Sequence, residues 1–282
     1  MSPIPLPSSR MEESGMPGAQ ADEWKPLNLA ALVRIELSKM RRLHTPVILL
    51  ALVIVIVLFE GGTLYSASSQ AIASDPSKLP WAQELISVAM INALLHPILV
   101  AVISSRQVDM ENTGDGWMLN ATAGTRPGRL MRVKLIVLAL ILLFACTFQL
   151  GAILVLGLHS GITVPFDALP WIGYFLMLWA VDLVLTAGHV LLSARFENQL
   201  ISMGTGLLGA FAGIYLFLAP MKLARWLPWG YFAVINPTCL VGEAGDVRVE
   251  YCEPGTAWLI GLFVLVAVIF AVLTRRADTI KG

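Results

Sequence analysis

The sequence predicts an all-α integral membrane protein with six transmembrane helices. Three observations carry this. Of the 282 residues, 57% are hydrophobic and 13% charged, against about 25% charged in a soluble domain, which is too few to cover a water-facing surface. Six windows are apolar over the roughly 20 residues needed to cross a hydrocarbon core about 30 Å thick: 46–65, 84–104, 135–158, 171–193, 200–220 and 256–274. Lysine and arginine divide unevenly between the two sides: 15 of the 19 fall on the N-terminal segment, the 105–134 and 194–199 connections and the tail. By the positive-inside rule both termini are cytoplasmic. Acids and bases balance at 19 each, so no basic excess points to nucleic acid.

Residues 1–26 are rich in Pro, Ser, Gly and Met and have no apolar run long enough for a signal-peptide core, so they read as a disordered cytoplasmic head. The membrane domain occupies 27–276 and opens with an amphipathic helix over 28–44. There Leu29, Leu32, Val33, Leu37 and Met40 recur at helical spacing, Arg34, Glu36, Lys39, Arg41 and Arg42 take other faces, and Asn28 is placed to cap. Such a helix at the inner interface is either a basic anchor that sets topology or an elbow that passes force from a soluble partner into the first span.

The connection over 105–134 is far longer than the roughly 2–8 residues that usually join neighbouring helices. Asp109 and Glu111 open it, "TGDG" breaks it, "WMLNATAGT" restarts it, "RPG" breaks it again, and bases lead into the third span. That pattern suits a short surface helix between turns, with Trp117, Met118 and Leu119 available for docking. A solvated loop that only obeys the inside rule is the alternative. The fourth and fifth spans are joined by "ARFENQ" alone, a tight helical hairpin.

Between the fifth and sixth spans the chain carries Trp226, Trp229, Tyr231 and Phe232 and is cut by Pro228 and Pro237. This suits a re-entrant piece at the outer interface, or an aromatic belt beside an ordinary loop. Cys239 and Cys252 both fall on the outer side and can close a short loop as a disulfide, whereas Cys146 lies in the third span. Residues 277–282 form a cytoplasmic tail.

Polar residues inside the spans are candidates for a translocation path. Asn92 and His96 are four apart on the second span, Gln149 is in the third, and Asp182 and His189 are seven apart on the fourth, each pair on one helical face. A lone carboxylate at the depth of Asp182 costs about 2.5 to 3.5 kcal/mol on insertion scales, so it should face a protein partner or water. Plain interhelical hydrogen bonding is the bland reading. No nucleophile–base–acid arrangement, metal-ligand spacing or cofactor glycine motif occurs, so neither enzyme activity nor a metal or cofactor is expected in this chain.

The order Glu111, Gly114, Trp117, Leu119, then Pro127, Arg129 and Lys134 leading into a span resembles the cytoplasmic loop of ABC-2-type transporter permeases. "ELSKMRR" before the first span is similar to that family's connecting helix, and "ENQLISMGTGLLGAF" with "LPWGYFAVINP" looks most like its lantibiotic and antimicrobial-peptide immunity branch. The loop has "GDGW" and "RPGRL" where the family often has Gly-Thr-Trp and Pro-x-x-Arg. The resemblance implies a coupling helix in the 105–134 connection, seated on a separate ABC ATPase subunit that holds ATP and magnesium. This chain has no G-x-x-x-x-G-K-[ST] phosphate loop of its own.

The residues expected to meet the ATPase are Glu111, Trp117, Met118, Leu119, Arg126 and Arg129, with Leu37 and Met40 on the elbow. The resemblance further implies a homodimer or heterodimer with a second permease in the cell membrane, exporting an amphipathic or lipophilic substrate such as an antimicrobial peptide or drug. Two other classes stay open: an ion-coupled carrier using Asp182 and His189, and a non-transporting membrane sensor that docks a regulator through the same loop.

Overall fold

Among the described residues, six helices are long and apolar enough to cross a membrane. In the computed structural model, which describes residues 28–242 and 247–280, they are α2 (Thr45–Leu64), α4 (Pro80–Thr113), α6 (Pro127–His159), α7 (Ala168–Arg195), α8 (Gln199–Leu218) and α11 (Thr256–Ile280). Shorter helices fill the connections: α1 (Leu29–Arg42), α3 (Ala67–Ile72), α5 (Gly116–Thr122), α9 (Met221–Ala224) and α10 (Tyr231–Val234). The predicted head, 1–26, lies outside the described residues, as do the last two residues of the predicted tail; the rest of that tail continues α11.

The end of the bundle that carries α1 and the close of α11 is called proximal below, the other end distal. Leucine, isoleucine and valine make α2 greasy from Val47 to Phe59, and Pro46 is tolerated because it sits in the first turn. At His44 the backbone turns left-handed, φ 57°, which separates α1 from α2. The Asn28 side chain accepts the Ala31 N–H at 2.8 Å and so caps α1.

One stripe of α1 is corrected by the structure. Leu32, Glu36 and Met40, spaced four apart, are buried, whereas Leu29 and Leu37 are exposed. The expected apolar stripe therefore rotates to include an acid, because Lys134 of α6 and Lys39 of α1 itself supply cations for it.

α4 is the central helix, packed against α2, α7 and α8, while α6 meets α1, α2, α7 and α11. The α4–α8 seam is close because small residues line it. A Cβ at Gly213 would run into the Ala93 carbonyl, and one at Gly206 would run into the Ala101 methyl and the Pro97 carbonyl. Pro97 sits inside α4, where it removes a backbone donor, and α8 covers the carbonyl at that turn. At the distal end Trp81 packs edge-on against Phe166 and Trp171, its Nε1–H donating to the Val164 carbonyl at 2.9 Å.

One feature of this end, a small sheet, departs from the all-helical reading. After α8, the segment through α9 and α10 folds back on the bundle, burying Tyr231 to Ile235 against α4, α7, α8 and α11 and leaving Trp226 exposed. It is followed by a small antiparallel sheet, β1 (Thr238–Val241) and β2 (Arg248–Tyr251), in register Thr238 to Tyr251 and Val241 to Arg248. Cys239 and Cys252 are joined by a disulfide across this hairpin.

The glycines of α8 differ in what surrounds them, which gives a paired test. Gly213→Val should lower the thermal midpoint of the purified protein by an amount equivalent to about 1–3 kcal/mol, the usual cost of overpacking. Gly204→Ala, where a Cβ would meet nothing within 4 Å, should leave the midpoint unchanged or slightly higher.

Candidate functional site

At the proximal end, four charged side chains from three helices close on one another. Lys134 of α6 is fully buried; its Nζ donates to Glu36 Oε2 of α1 at 2.7 Å, to Glu111 Oε1 of α4 at 3.0 Å and to the Gln107 carbonyl at 2.9 Å. Lys39 completes the set, donating to Glu36 Oε1 at 2.6 Å and Glu111 Oε1 at 2.8 Å. Gln107 Nε2 adds a hydrogen bond to Glu36 Oε2 at 2.9 Å. Two lysines balance two glutamates, so no net charge is left inside. Burial, the largest effect on Lys39, pulls its ammonium down, but the hydrogen bonds to Glu111 and Glu36 outweigh it and hold the group above its ordinary value.

The same cluster seats α5. Asn120 Nδ2 donates to Glu111 Oε2 at 2.8 Å, and Gly116 lies so close that a Cβ there would run into the Glu111 carboxylate. Trp117 Nε1–H donates to Asn112 Oδ1 at 2.7 Å, and Asn112 Nδ2 in turn donates to the Ser193 carbonyl of α7 at 3.1 Å. The connection is thus shorter than expected. α4 continues to Thr113 and α6 begins at Pro127, because their terminal turns are held by these buried polar groups and by Pro127 at the first helical position. Asp115, with φ 50°, makes the break before α5.

The residues expected to meet a partner separate into two groups. Met118 and Leu119 are 67% and 63% exposed, and Arg126 and Leu37 are also exposed. Glu111 and Met40 are buried, and Trp117 is half-buried, so these three support the surface from behind. Arg129 is half-buried at the start of α6, where its backbone N–H donates to Asp278 Oδ1 at 3.1 Å. Asp278 also accepts from Arg132 Nη2 at 2.8 Å, so the end of α11 supplies the anion that the first turn of α6 favours. A cleft of about 570 Å³ opens between α1 and α5, lined by Lys39, Arg42, Leu43, Met110 and Leu119 among others.

A second polar cluster lies within the spans. Asn92, His96, Gln149 and Asp182 come together: His96 Nδ1 lies 2.8 Å from Asp182 Oδ2, His96 Nε2 lies 3.2 Å from Gln149 Oε1, and Gln149 Nε2 donates to Asn92 Oδ1 at 2.8 Å. Asp182 therefore faces protein. His189 does not join it; its Nδ1 is 2.9 Å from Ser202 Oγ of α8. Seven residues along α7 place the two groups two turns apart, and each finds a nearer partner on a neighbouring helix. The sequence reading missed Glu60, which accepts from Gln149 Nε2 at 2.6 Å, and Tyr174, whose hydroxyl accepts from Asn92 at 3.1 Å. Among the described residues no group of three or more His, Cys, Asp or Glu could hold a metal ion.

Lys134→Met should cost about 3–5 kcal/mol of stability by stranding buried carboxylates. Lys39→Met should cost distinctly less, since that side chain is 28% exposed and Lys134 still serves both acids. Thermal unfolding of the purified chain reads both, and a double-mutant cycle of Lys134→Met with Glu36→Gln should show clear coupling. Because the folded state raises the Lys39 ammonium, its contribution is whole at neutral pH and below, and is lost as alkaline pH rises through its folded value.

Residues 32–213 match the sequence model of a family described as ABC-2 family transporter protein. Among curated proteins, none matches the chain.

Proposed function

Since the chain belongs to the ABC-2 transporter family, as a multi-pass membrane subunit without the phosphate loop of an ATPase, we propose that it is the permease of an ATP-driven exporter and that α5 is the coupling helix on which a separate ABC ATPase subunit sits. One observation carries the reading. The short helix between the second and third spans presents Met118 and Leu119 outward while its other side is fastened through Glu111 and Asn120 to the Lys39–Glu36–Lys134 cluster.

A push on α5 is then a push on α1, α4 and α6 together, which suits α1 as the elbow. Closure of the ATPases on ATP and magnesium, both held by the partner, would drive the spans between inward- and outward-facing states. We take both termini to be cytoplasmic, the location to be the cell membrane, and the working unit to pair this chain with an identical or paralogous permease. The residues after α8 are the re-entrant piece in this reading. The substrate is an amphipathic or lipophilic molecule such as an antimicrobial peptide or drug. The Asp182–His189 pairing of the carrier reading has no direct contact here, since Asp182 meets His96 and His189 meets Ser202.

The contact surface predicts a selective loss. Asp at both Met118 and Leu119 should reduce the ATPase recovered with the permease by about tenfold or more, as expected for central apolar anchors. Leu169→Asp, 80% exposed at the distal end, should leave recovery unchanged. Equal recovery from all three proteins would reject α5 as the seat. Loop-dependent binding with no nucleotide-dependent change in the spans would instead mark a sensor.

A further inference from the structure

The polar cluster within the spans has a fixed hydrogen arrangement. Gln149 Nε2 uses both of its hydrogens, on Glu60 Oε1 and Asn92 Oδ1, so Gln149 Oε1 is an acceptor and His96 Nε2, 3.2 Å away, carries a hydrogen. The contact between His96 Nδ1 and Asp182 Oδ2, 2.8 Å long, is then bridged by one further hydrogen, whichever atom owns it. Glu60 Oε2 and Asp182 Oδ1 have no protein hydrogen-bond partner, and both side chains are fully buried.

The titratable groups bearing on these acids are Glu60 from α2, His96 and, further out, Glu84 from α4, Cys146 from α6, and Tyr174 and Asp182 from α7. Cys146 Sγ is 3.9 Å from Asp182 Oδ2, and α10 presents only the Phe232 ring to His96. No lysine or arginine is hydrogen-bonded or ion-paired to Glu60 or Asp182 among the described residues. An ionised Glu60 would stand without a cation in the apolar interior, which is costly, whereas an ionised Asp182 has only His96 to supply one.

From this geometry we propose that Glu60, Gln149, His96 and Asp182 form an intramembrane proton-binding site. In the conformation seen here it holds two protons, one on Glu60 and one bridging His96 and Asp182. The members sit on four helices, so parting α6 from α4 breaks the chain at Gln149–His96 and at Gln149–Asn92 together. Each group then needs water or a changed proton load, and rearrangement of the spans is linked to proton uptake or release. The site does not depend on the ATPase reading.

The test uses the full chain alone in lipid nanodiscs. Infrared spectra at neutral pH should contain the C=O stretch of a buried, protonated carboxyl, lost in Glu60→Gln. The [15N]histidine spectrum, with four histidines in the sequence and His96 assigned by His96→Gln, should show Nε2 protonated and Nδ1 in a strong hydrogen bond. Asp182→Asn should shift the His96 signals and leave those of His189 in place. A carboxyl region identical in wild type and Glu60→Gln, or His96 signals that Asp182→Asn leaves unmoved, would overturn the proposal. Should Glu60→Gln fail to fold, the wild-type spectrum decides alone: absence of any protonated carboxyl band overturns it.

Discussion

The buried exchange between two lysines and two glutamates at the proximal end governs how this molecule is put together. Charges removed from water gain little net stability, since the attraction mainly repays their desolvation. What they impose is exact partnering, because a shift of α1, α4 or α6 by one turn would strand an ammonium or a carboxylate among apolar atoms. Lys134 has three acceptors and no exposure, so the start of α6 has one permitted position relative to α1 and α4. Through Asn120 and Gly116 the same constraint reaches α5. A seven-residue helix is far too short to hold its own shape in water, and it is ordered here by what it rests on.

α4 joins the two polar clusters. Its 34 residues make a rod of about 51 Å at 1.5 Å per residue, well beyond a hydrocarbon core of about 30 Å. Gln107 and Glu111 lie in the part that projects, whereas Asn92 and His96 lie deeper, with Pro97 and the glycine seam of α8 beside them. A displacement applied where α5 is fastened therefore acts on the same rigid element that carries the inner polar chain. The proline marks the turn at which that element is most easily bent.

Much of this was legible from residue patterns, for reasons that also mark where legibility ended. Apolar length gave the six spans, and the "TGDG" run marked the break before α5, which falls at Asp115. Helical periodicity sets Glu36 off the apolar stripe of α1, where a charge is expected; its partners 71 and 98 residues away bury it. Lys134 was read as the last base of a loop for the same reason. Glu60 did carry a signal, as the lone acid in an otherwise apolar run. For Asp182, spacing along α7 suggested His189, but a histidine across the bundle was nearer. Partners on other helices are invisible to single-helix geometry, and so was the pairing of two short strands with few β-branched residues, although Cys239 and Cys252 pointed to the disulfide that closes them.

Asp278 caps a helix whose first turn was made 149 residues earlier in the chain. During synthesis, then, α6 must be threaded and oriented with its opening amides still waiting for an acceptor, and Gly128 cannot settle against the Thr274 carbonyl until the final span arrives. That end of the bundle waits for α11. A chain interrupted just before Asp278 would carry all six apolar helices and still leave the first turn of α6 without its acceptor.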